Sequence, residues 1–321
     1  MHAAVIREFG PPEVLALTEL AAPRPIDDEA LIAVAFANVT FVETQIRAGR
    51  PPHPSMLPPL PAVLGNGVGG TVIAVGPDAD PDLLGRAVVA SLAGSGGYAE
   101  QAATVAACLI PVPDGVAMRD AVALLADGRT AMGLLSRADV RDGDTVVIEA
   151  AAGGVGTLLV QLARSAGARV VALAGGDRKM ALAAELGADV TVDYRTGDWS
   201  SNVRDAVGAA DVVFDGVGGD IAAAAFGLLR PGGRFCPFGM ASGGFAPVTA
   251  DMARAARVDM RSGGPMSSTE SVALSRAALD EAAAGRLRPV IGQEHPLSEA
   301  AAAHAAIEAR ATIGKTLLTA A

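Results

Sequence analysis

Cysteine is nearly missing: Cys108 and Cys236 are the two in 321 residues. Two are too few for a disulfide framework or a cysteine-based zinc site, so both are expected to be small buried hydrophobes. Basic residues are in deficit as well. Against 35 Asp and Glu stand 25 Lys and Arg, for a formal net charge of -10. That balance argues against a nucleic-acid binder, which neutralises phosphates with clustered Lys and Arg. Aromatics make up only 3% of the chain, with Tyr98 and Tyr194 as its two tyrosines. No apolar run reaches the roughly 18 residues of a membrane span. Met1 to Arg7 reads as a first strand and lacks the basic end and apolar core of a signal peptide, so a soluble cytoplasmic protein is expected.

Aliphatic residues and glycine are what the chain has in quantity, with 51% hydrophobic residues and 38 glycines. The length allows two ordinary domains. Residues 1–117 carry short strand-like runs broken by Pro and Gly, at Leu31–Phe36, Gly70–Val75 and Arg86–Ser91, the punctuation of a small β-rich domain. From 118 the rhythm changes to alternating helix and strand. Strands are expected at Thr145–Ala150, Arg169–Ala174, Val190–Asp193, Asp211–Asp215, Arg234–Phe238 and Val258–Arg261. Helices are expected at Val155–Ser165 and Lys179–Leu186. Such alternation builds a doubly wound parallel sheet over 118–263. The last stretch, 264–321, offers helices at Thr269–Ala284 and Ser298–Arg310 and a strand at Lys315–Thr319. It has too little core to stand alone and is expected to complete the first domain. The proline-rich segment from Pro51 to Pro61 reads either as a lid or as a solvated connection.

The strongest motif is Ala150-Ala151-Ala152-Gly153-Gly154-Val155-Gly156, which follows a strand and opens a helix. That is the setting of a dinucleotide fingerprint, whose glycines let backbone N–H groups approach a pyrophosphate at the positive helix end. The first glycine of the usual pattern is Ala151 here, so a plain structural turn is the competing reading. An NAD site would place a carboxylate after the second strand. Here that strand ends Leu173-Ala174-Gly175-Gly176, with Asp177 read as the cap of the next helix. Gly175 and Gly176 leave room for a further phosphate. In a 3-2-1 strand order, Lys179 and Tyr194 converge on it, with Arg178 and Arg195 nearby. The chain has two lysines, Lys179 and Lys315, against 23 arginines, which hints at a need for a compact point charge at each. NADPH is therefore the expected cofactor, with Lys179 as a solvated surface residue the bland alternative.

With these segments in place the chain resembles the medium-chain dehydrogenase/reductase superfamily, and within it the zinc-free quinone oxidoreductase branch, like zeta-crystallin. The resemblance covers essentially the whole chain. It is carried by Phe9 to Leu15, Thr40 to Arg47, Gly65 to Gly76, Ala150 to Gly156, Val192 to Arg195, Asp215 to Gly219 and Gly314 to Leu318. It implies a GroES-like β-rich catalytic domain, a Rossmann domain inserted into it, a cleft between them and commonly a homodimer. It also implies roles for single residues. Gly153, Gly154, Val155 and Gly156 would bind pyrophosphate, Lys179 and Tyr194 the 2′-phosphate, and Gly175 would face the adenosine. Thr130 would contact the nicotinamide end, Val217, Phe238, Gly239 and Met240 would line the nicotinamide, and Lys315 would help close the groove. Zinc-bearing relatives have a cysteine ligand where Thr40 stands and a histidine ligand in the segment occupied by Gly65-Asn66-Gly67, and the branch often has Tyr where Gln45 stands. No metal site is expected.

Without a Lewis acid an isolated aldehyde is a poor hydride acceptor, because it leaves an alkoxide. A quinone leaves a phenolate-like anion with a pKa of about 10, which water protonates. Positioning then supplies most of the catalysis, and Thr40 and Gln45 are the expected hydrogen-bond donors to the acceptor oxygen. No proton donor is evident, since His2, His53, His295 and His304 are scattered and expected at the surface. Glu43 is either a pocket residue or a structural salt-bridge partner. The sequence thus predicts NADPH:quinone reduction. An enone or enoyl-thioester reductase of the same fold, and a non-catalytic NADPH-binding or structural protein, remain as alternatives.

Overall fold

A computed structural model describes every residue except Ala93, Pro265 and Ala321. The chain divides into two compact units, Met1–Arg129 with Ser268–Ala321, and Thr130–Ser267. The expected boundaries at 117/118 and 263/264 lie 12 and 4 residues before these, because one long helix, Met118–Ala138, runs through the first junction.

In chain order the first elements are β1 (His2–Ile6), β2 (Ala16–Glu19), β3 (Glu29–Val39), α1 (Phe41–Arg47), β4 (Ala62–Val63), β5 (Gly67–Val75), β6 (Ala87–Ser91), β7 (Gln101–Val105), β8 (Leu109–Pro111) and α2 (Met118–Ala138). Next come β9 (Thr145–Ile148), α3 (Gly154–Ser165), β10 (Arg169–Ala174), α4 (Asp177–Glu185), β11 (Val190–Asp193), α5 (Trp199–Val207), β12 (Ala210–Asp215), α6 (Gly219–Phe226), β13 (Leu229–Pro237), α7 (Ala250–Ala256) and β14 (Asp259–Met260). The chain closes with α8 (Ser268–Ala283), β15 (Ile291–Pro296), α9 (Ala300–Glu308) and β16 (Lys315–Thr319).

The first unit holds two sheets. A three-stranded antiparallel one runs β2-β1-β4, and a seven-stranded one runs β15-β16-β3-β5-β6-β8, with β7 pairing on β3. The C-terminal strand β16 lies antiparallel on β3, with Leu317 opposite Asn38, so the last stretch does complete the β-rich unit. Core residues include Ile32, Val34, Val68, Val88, Leu92 and Leu318.

The second unit is a parallel sheet of order β11-β10-β9-β12-β13-β14, the 3-2-1-4-5-6 arrangement of a Rossmann fold. Val146, Val147, Ile148, Val170, Val171, Val212 and Val213 are wholly buried, as expected of strands covered on both faces. Two local expectations change. The first parallel strand stops at Ile148 rather than Ala150, because Ala150 takes a positive φ of 48° to begin the turn. Gly176, not Asp177, is the N-cap of α4, so Asp177 is the first helical residue, where its charge suits the helix dipole. Of the cysteines, Cys236 is buried and Cys108 only partly so. Among the described residues no helix is long and apolar enough to cross a membrane.

Candidate functional site

The turn from β9 to α3 is tight. Ala151 N–H donates to Leu173 O on the neighbouring strand at 3.1 Å, and Gly153 N–H to Ala150 O at 2.8 Å. A Cβ on Gly156 would lie 2.2 Å from Ala150 O and 2.8 Å from Ala151 Cα, so only glycine lets the helix pack against its own turn. Ala151 at the first fingerprint position is wholly buried beneath it. Gly153 caps α3 without any side-chain hydrogen bond, which leaves the first-turn N–H groups for an anion. The backbone cradle is therefore of the kind a dinucleotide pyrophosphate needs, and Gly153 to Gly156 are its members.

At the ends of the neighbouring strands β10 and β11 the structure brings together Gly175, Gly176, Tyr194 and Arg195. A Cβ on Gly175 would be 3.6 Å from the Tyr194 ring, and one on Gly176 2.9 Å from Arg195 Nη2. Lys179 N–H donates to Gly176 O at 3.0 Å, which seats Lys179 in the first turn of α4 beside them. Asp193 is the residue that sequence reasoning passed over here. Its Oδ2 accepts from Gly176 N–H at 3.1 Å and from Arg195 Nη2 at 2.6 Å. The guanidinium holds the Asp193 carboxyl down to about 2. This carboxylate is thus neutralised by Arg195 rather than left to repel a phosphate.

The ends of β12 and β13 carry Val217, Phe238, Gly239 and Met240. Phe238 and Gly239 N–H both donate to Asp215 O, at 2.8 and 3.1 Å, and Ser242 N–H to Val217 O at 2.8 Å. Gly218 takes φ 76°, and a Cβ there would be 1.9 Å from Gly244 O. The two loops are consequently laced together by backbone. Thr130 lies within α2, at the start of the same unit.

In the β-rich unit Thr40 is the N-cap of α1. Its Oγ1 accepts from Glu43 N–H at 3.4 Å, and Glu43 Oε2 accepts from Thr40 N–H at 2.6 Å, a reciprocal capping box. The cap uses a lone pair of Oγ1 and leaves the hydroxyl proton able to donate. Gln45 is buried and donates from Nε2 to Thr44 Oγ1 at 3.1 Å. Lys315 forms a buried ion pair with Asp127, Nζ to Oδ1 3.0 Å. The pairing meets the requirement of a buried ammonium for a partner charge.

Glu43 is neither an open pocket acid nor one half of a salt bridge. Besides the Thr40 cap it accepts from Asn66 N–H at 2.7 Å and from Tyr98 OH at 3.0 Å. Tyr98 OH also meets His304 Nε2 at 3.0 Å. A hydroxyl that donates to Glu43 must accept from His304, which assigns the Nε2–H tautomer. His304 is thus not at the surface as expected: it is wholly buried, and burial pulls its pKa down to about 3. Burial raises Glu43 above the usual carboxylate range, while the N–H bonds from Thr40 and Asn66 oppose the rise. Burial also lifts Tyr98 well above its ordinary value. One carboxylate therefore ties together Thr40 and Asn66. Among the described residues no group of three or more His, Cys, Asp or Glu is placed to hold a metal ion.

Comparison with known proteins agrees with this geometry. Residues 26–114 match the alcohol dehydrogenase GroES-like domain family, and residues 154–272 match the zinc-binding dehydrogenase family. A 2-haloacrylate reductase from Burkholderia is 32% identical over 98% of this chain and 98% of its own. Human quinone oxidoreductase is 31% identical over 95% of this chain and 93% of its own. A mycobacterial protein solved in complex with NADPH superposes with a TM-score of 0.90 at 34% identity, covering 99% of this chain and 100% of the other. Matched along nearly its whole length by such relatives, the chain belongs to the medium-chain dehydrogenase/reductase superfamily, as an oxidoreductase with quinone oxidoreductase relatives.

Proposed function

We propose that this enzyme uses NADPH to reduce an electron-poor acceptor, a quinone or a closely similar conjugated carbonyl compound, without zinc. The observation that carries the reading is the convergence of Gly175, Gly176, Tyr194, Arg195 and the first turn of α4, in which the strand-end carboxylate Asp193 is held by Arg195. That arrangement suits a 2′-phosphate better than a ribose hydroxyl. NADPH would supply the hydride. The chain would bind its pyrophosphate at Gly153 to Gly156, its 2′-phosphate through Lys179 and Tyr194, and its nicotinamide beside Thr130, Val217, Phe238, Gly239 and Met240. Thr40 would offer its hydroxyl proton, and Gln45 its amide, to the acceptor oxygen. With Thr40 and Asn66 in place of zinc ligands, an acceptor whose reduced form is a stabilised anion is favoured over a simple aldehyde. A cytoplasmic homodimer belongs to the same proposal.

A second reading, reduction of an electron-poor C=C bond, is favoured by the likeness to a 2-haloacrylate reductase. One assay separates them: NADPH consumption with benzoquinones, naphthoquinones, 2-haloacrylates, enoyl thioesters and small aldehydes. The expected order puts quinones first and aldehydes at background, and faster turnover of the alkenes would transfer the assignment to the second reading. Lys179→Ala should weaken NADPH by roughly 10- to 150-fold, a charge-assisted contact of about 1.5–3 kcal/mol. NADH binding should be nearly unchanged, and equal losses for both cofactors would remove Lys179 from the phosphate site.

A further inference from the structure

Directly after β9, and at the end of its neighbour β12, lie two carboxyl groups with no solvent access, Glu149 and Asp215. Neither has a cation beside it. Val217 N–H donates to Glu149 Oε2 and to Asp215 Oδ1, both at 3.1 Å, so the two carboxyls flank a single donor. Asp215 Oδ1 also accepts from Gly218 N–H at 2.7 Å. The other two oxygens, Glu149 Oε1 and Asp215 Oδ2, are buried and have no donor at all. Two adjacent carboxylates cannot both be ionised in such a place. A proton held between the two carboxyl groups, which are within hydrogen-bond reach of each other, relieves the repulsion and supplies a missing donor.

We propose that Glu149 and Asp215 share one buried proton, with Glu149 donating to Asp215, and that the pair is a positioning device for the loops that receive the nicotinamide. Glu149 is the proton's holder, because burial and the neighbouring Asp215 both raise its pKa well above the usual range. Burial raises Asp215 too, while the bond from Glu149 and the two N–H groups oppose it. On the adjacent strand β13, in register with Phe214, Cys236 has a thiol that burial pushes up to about 12 and keeps neutral. The flanking strand positions are Ile148 and Pro237, which carry no charge.

The path from this pair to the site is short. The carboxyls hold Val217 and Gly218 N–H, Asp215 O holds Phe238 and Gly239 N–H, and Val217 O holds Ser242 N–H. Losing the proton would place two anions against one N–H and release the turn. The role of the loops in cofactor binding rests on the NADPH reading above; the shared proton does not.

The test compares Glu149→Gln, whose amide can still donate to Asp215, with Glu149→Leu, which cannot. Thermal unfolding is followed from about pH 5 to pH 9. A raised folded pKa means that stability is lost as pH climbs from the unfolded value of about 4.3 towards the folded one. Glu149→Gln removes that loss, so its midpoint should gain on wild type steadily as pH rises and exceed it by about 3 °C or more at pH 9. A difference that does not change with pH overturns the shared proton, and this readout needs neither cofactor nor the Leu variant. For positioning, NADPH is compared with 2′-phospho-ADP-ribose, which lacks the nicotinamide. Glu149→Leu should weaken NADPH about tenfold and leave the fragment within about twofold, while Glu149→Gln restores NADPH binding. Equal losses for both ligands overturn the positioning role. Failure of the wild type to bind NADPH overturns the cofactor reading instead, and with it the nicotinamide role, whereas the pH result judges the proton by itself.

Discussion

The two units each bury a glutamate, and they keep it in opposite ways. Glu43, in the β-rich unit, is surrounded by donors: Thr40 N–H, Asn66 N–H and Tyr98 OH. Glu149, in the parallel-sheet unit, has half of one N–H and faces another carboxyl. Donors and neighbouring charge together decide the outcome. Three hydrogen bonds and the charge of Lys315 oppose the desolvation of Glu43, while Glu149, with no cation acting on it, can be satisfied only by keeping its proton. Both solutions serve the same end, since each glutamate holds backbone at a segment of the proposed site. The β-rich unit holds Thr40 and Asn66 with hydrogen bonds, and the nucleotide unit holds Val217 and Gly218 with a shared proton.

The sharpest way to break the contrast is Glu43→Ala. It would leave three buried donors without an acceptor, each costing about 1–3 kcal/mol. A loss of about 3–5 kcal/mol is expected in urea unfolding. A loss below about 1 kcal/mol would show that water replaces the carboxylate and that the network is not tight.

A second test uses pH. The folded pKa of His304, about 3, lies below its ordinary 6.5, so the unfolded chain takes up a proton that the folded one refuses. Its contribution is fully present above about pH 6.5 and is lost as pH falls towards 3. Between pH 6.5 and 5 that loss is about 2 kcal/mol, at 1.36 kcal/mol per unit. Glu149 works in the other direction, losing stability as pH rises. His304→Gln should flatten the acid limb alone and Glu149→Gln the alkaline limb alone. If His304→Gln leaves the acid limb unchanged, the buried imidazole is not its source. The charged group acting on His304 is Arg47, which also pairs with Glu308 and donates to Gly10 O at 2.9 Å; Glu43 reaches His304 only through Tyr98.

The smallest effect is at the rim of the network. Thr40→Ala removes the N-cap of α1 and should cost about 1 kcal/mol in stability. It should also lower kcat/KM for the quinone several-fold, because one neutral hydrogen bond to the acceptor is lost. A stability loss without any kinetic change would confine Thr40 to its capping role.

Much of the nucleotide unit was legible from pattern. Parallel strands covered on both faces must be unbroken aliphatic runs, and the glycines at 153, 154 and 156 announce the turn between β9 and α3. The meeting of Gly175 and Tyr194 at the ends of β10 and β11 followed from strand order, which βαβ chirality restricts to few choices. Asp193 escaped because its partner, Arg195, is two residues away, and such a pair looks like ordinary surface charge. Glu149 was readable as an anomaly, an acid ending an aliphatic strand, yet its neighbour Asp215 is 66 residues further on.

Length, charge, aliphatic content and glycine spacing were enough to determine two units, a Rossmann strand order and a dinucleotide cradle, because helix period, strand burial and tight turns are local properties of a chain. What tertiary structure alone decided is which polar groups meet in the dark. His304 was expected at the surface and is buried against Tyr98. Lys315 is paired in the core with Asp127. Glu43 gathers donors from α1, from Asn66 and from Tyr98, and Glu149 meets Asp215. Burial makes a charge costly wherever it lies in the sequence, and the partner that offsets the cost is supplied by whichever strand or helix the fold brings alongside.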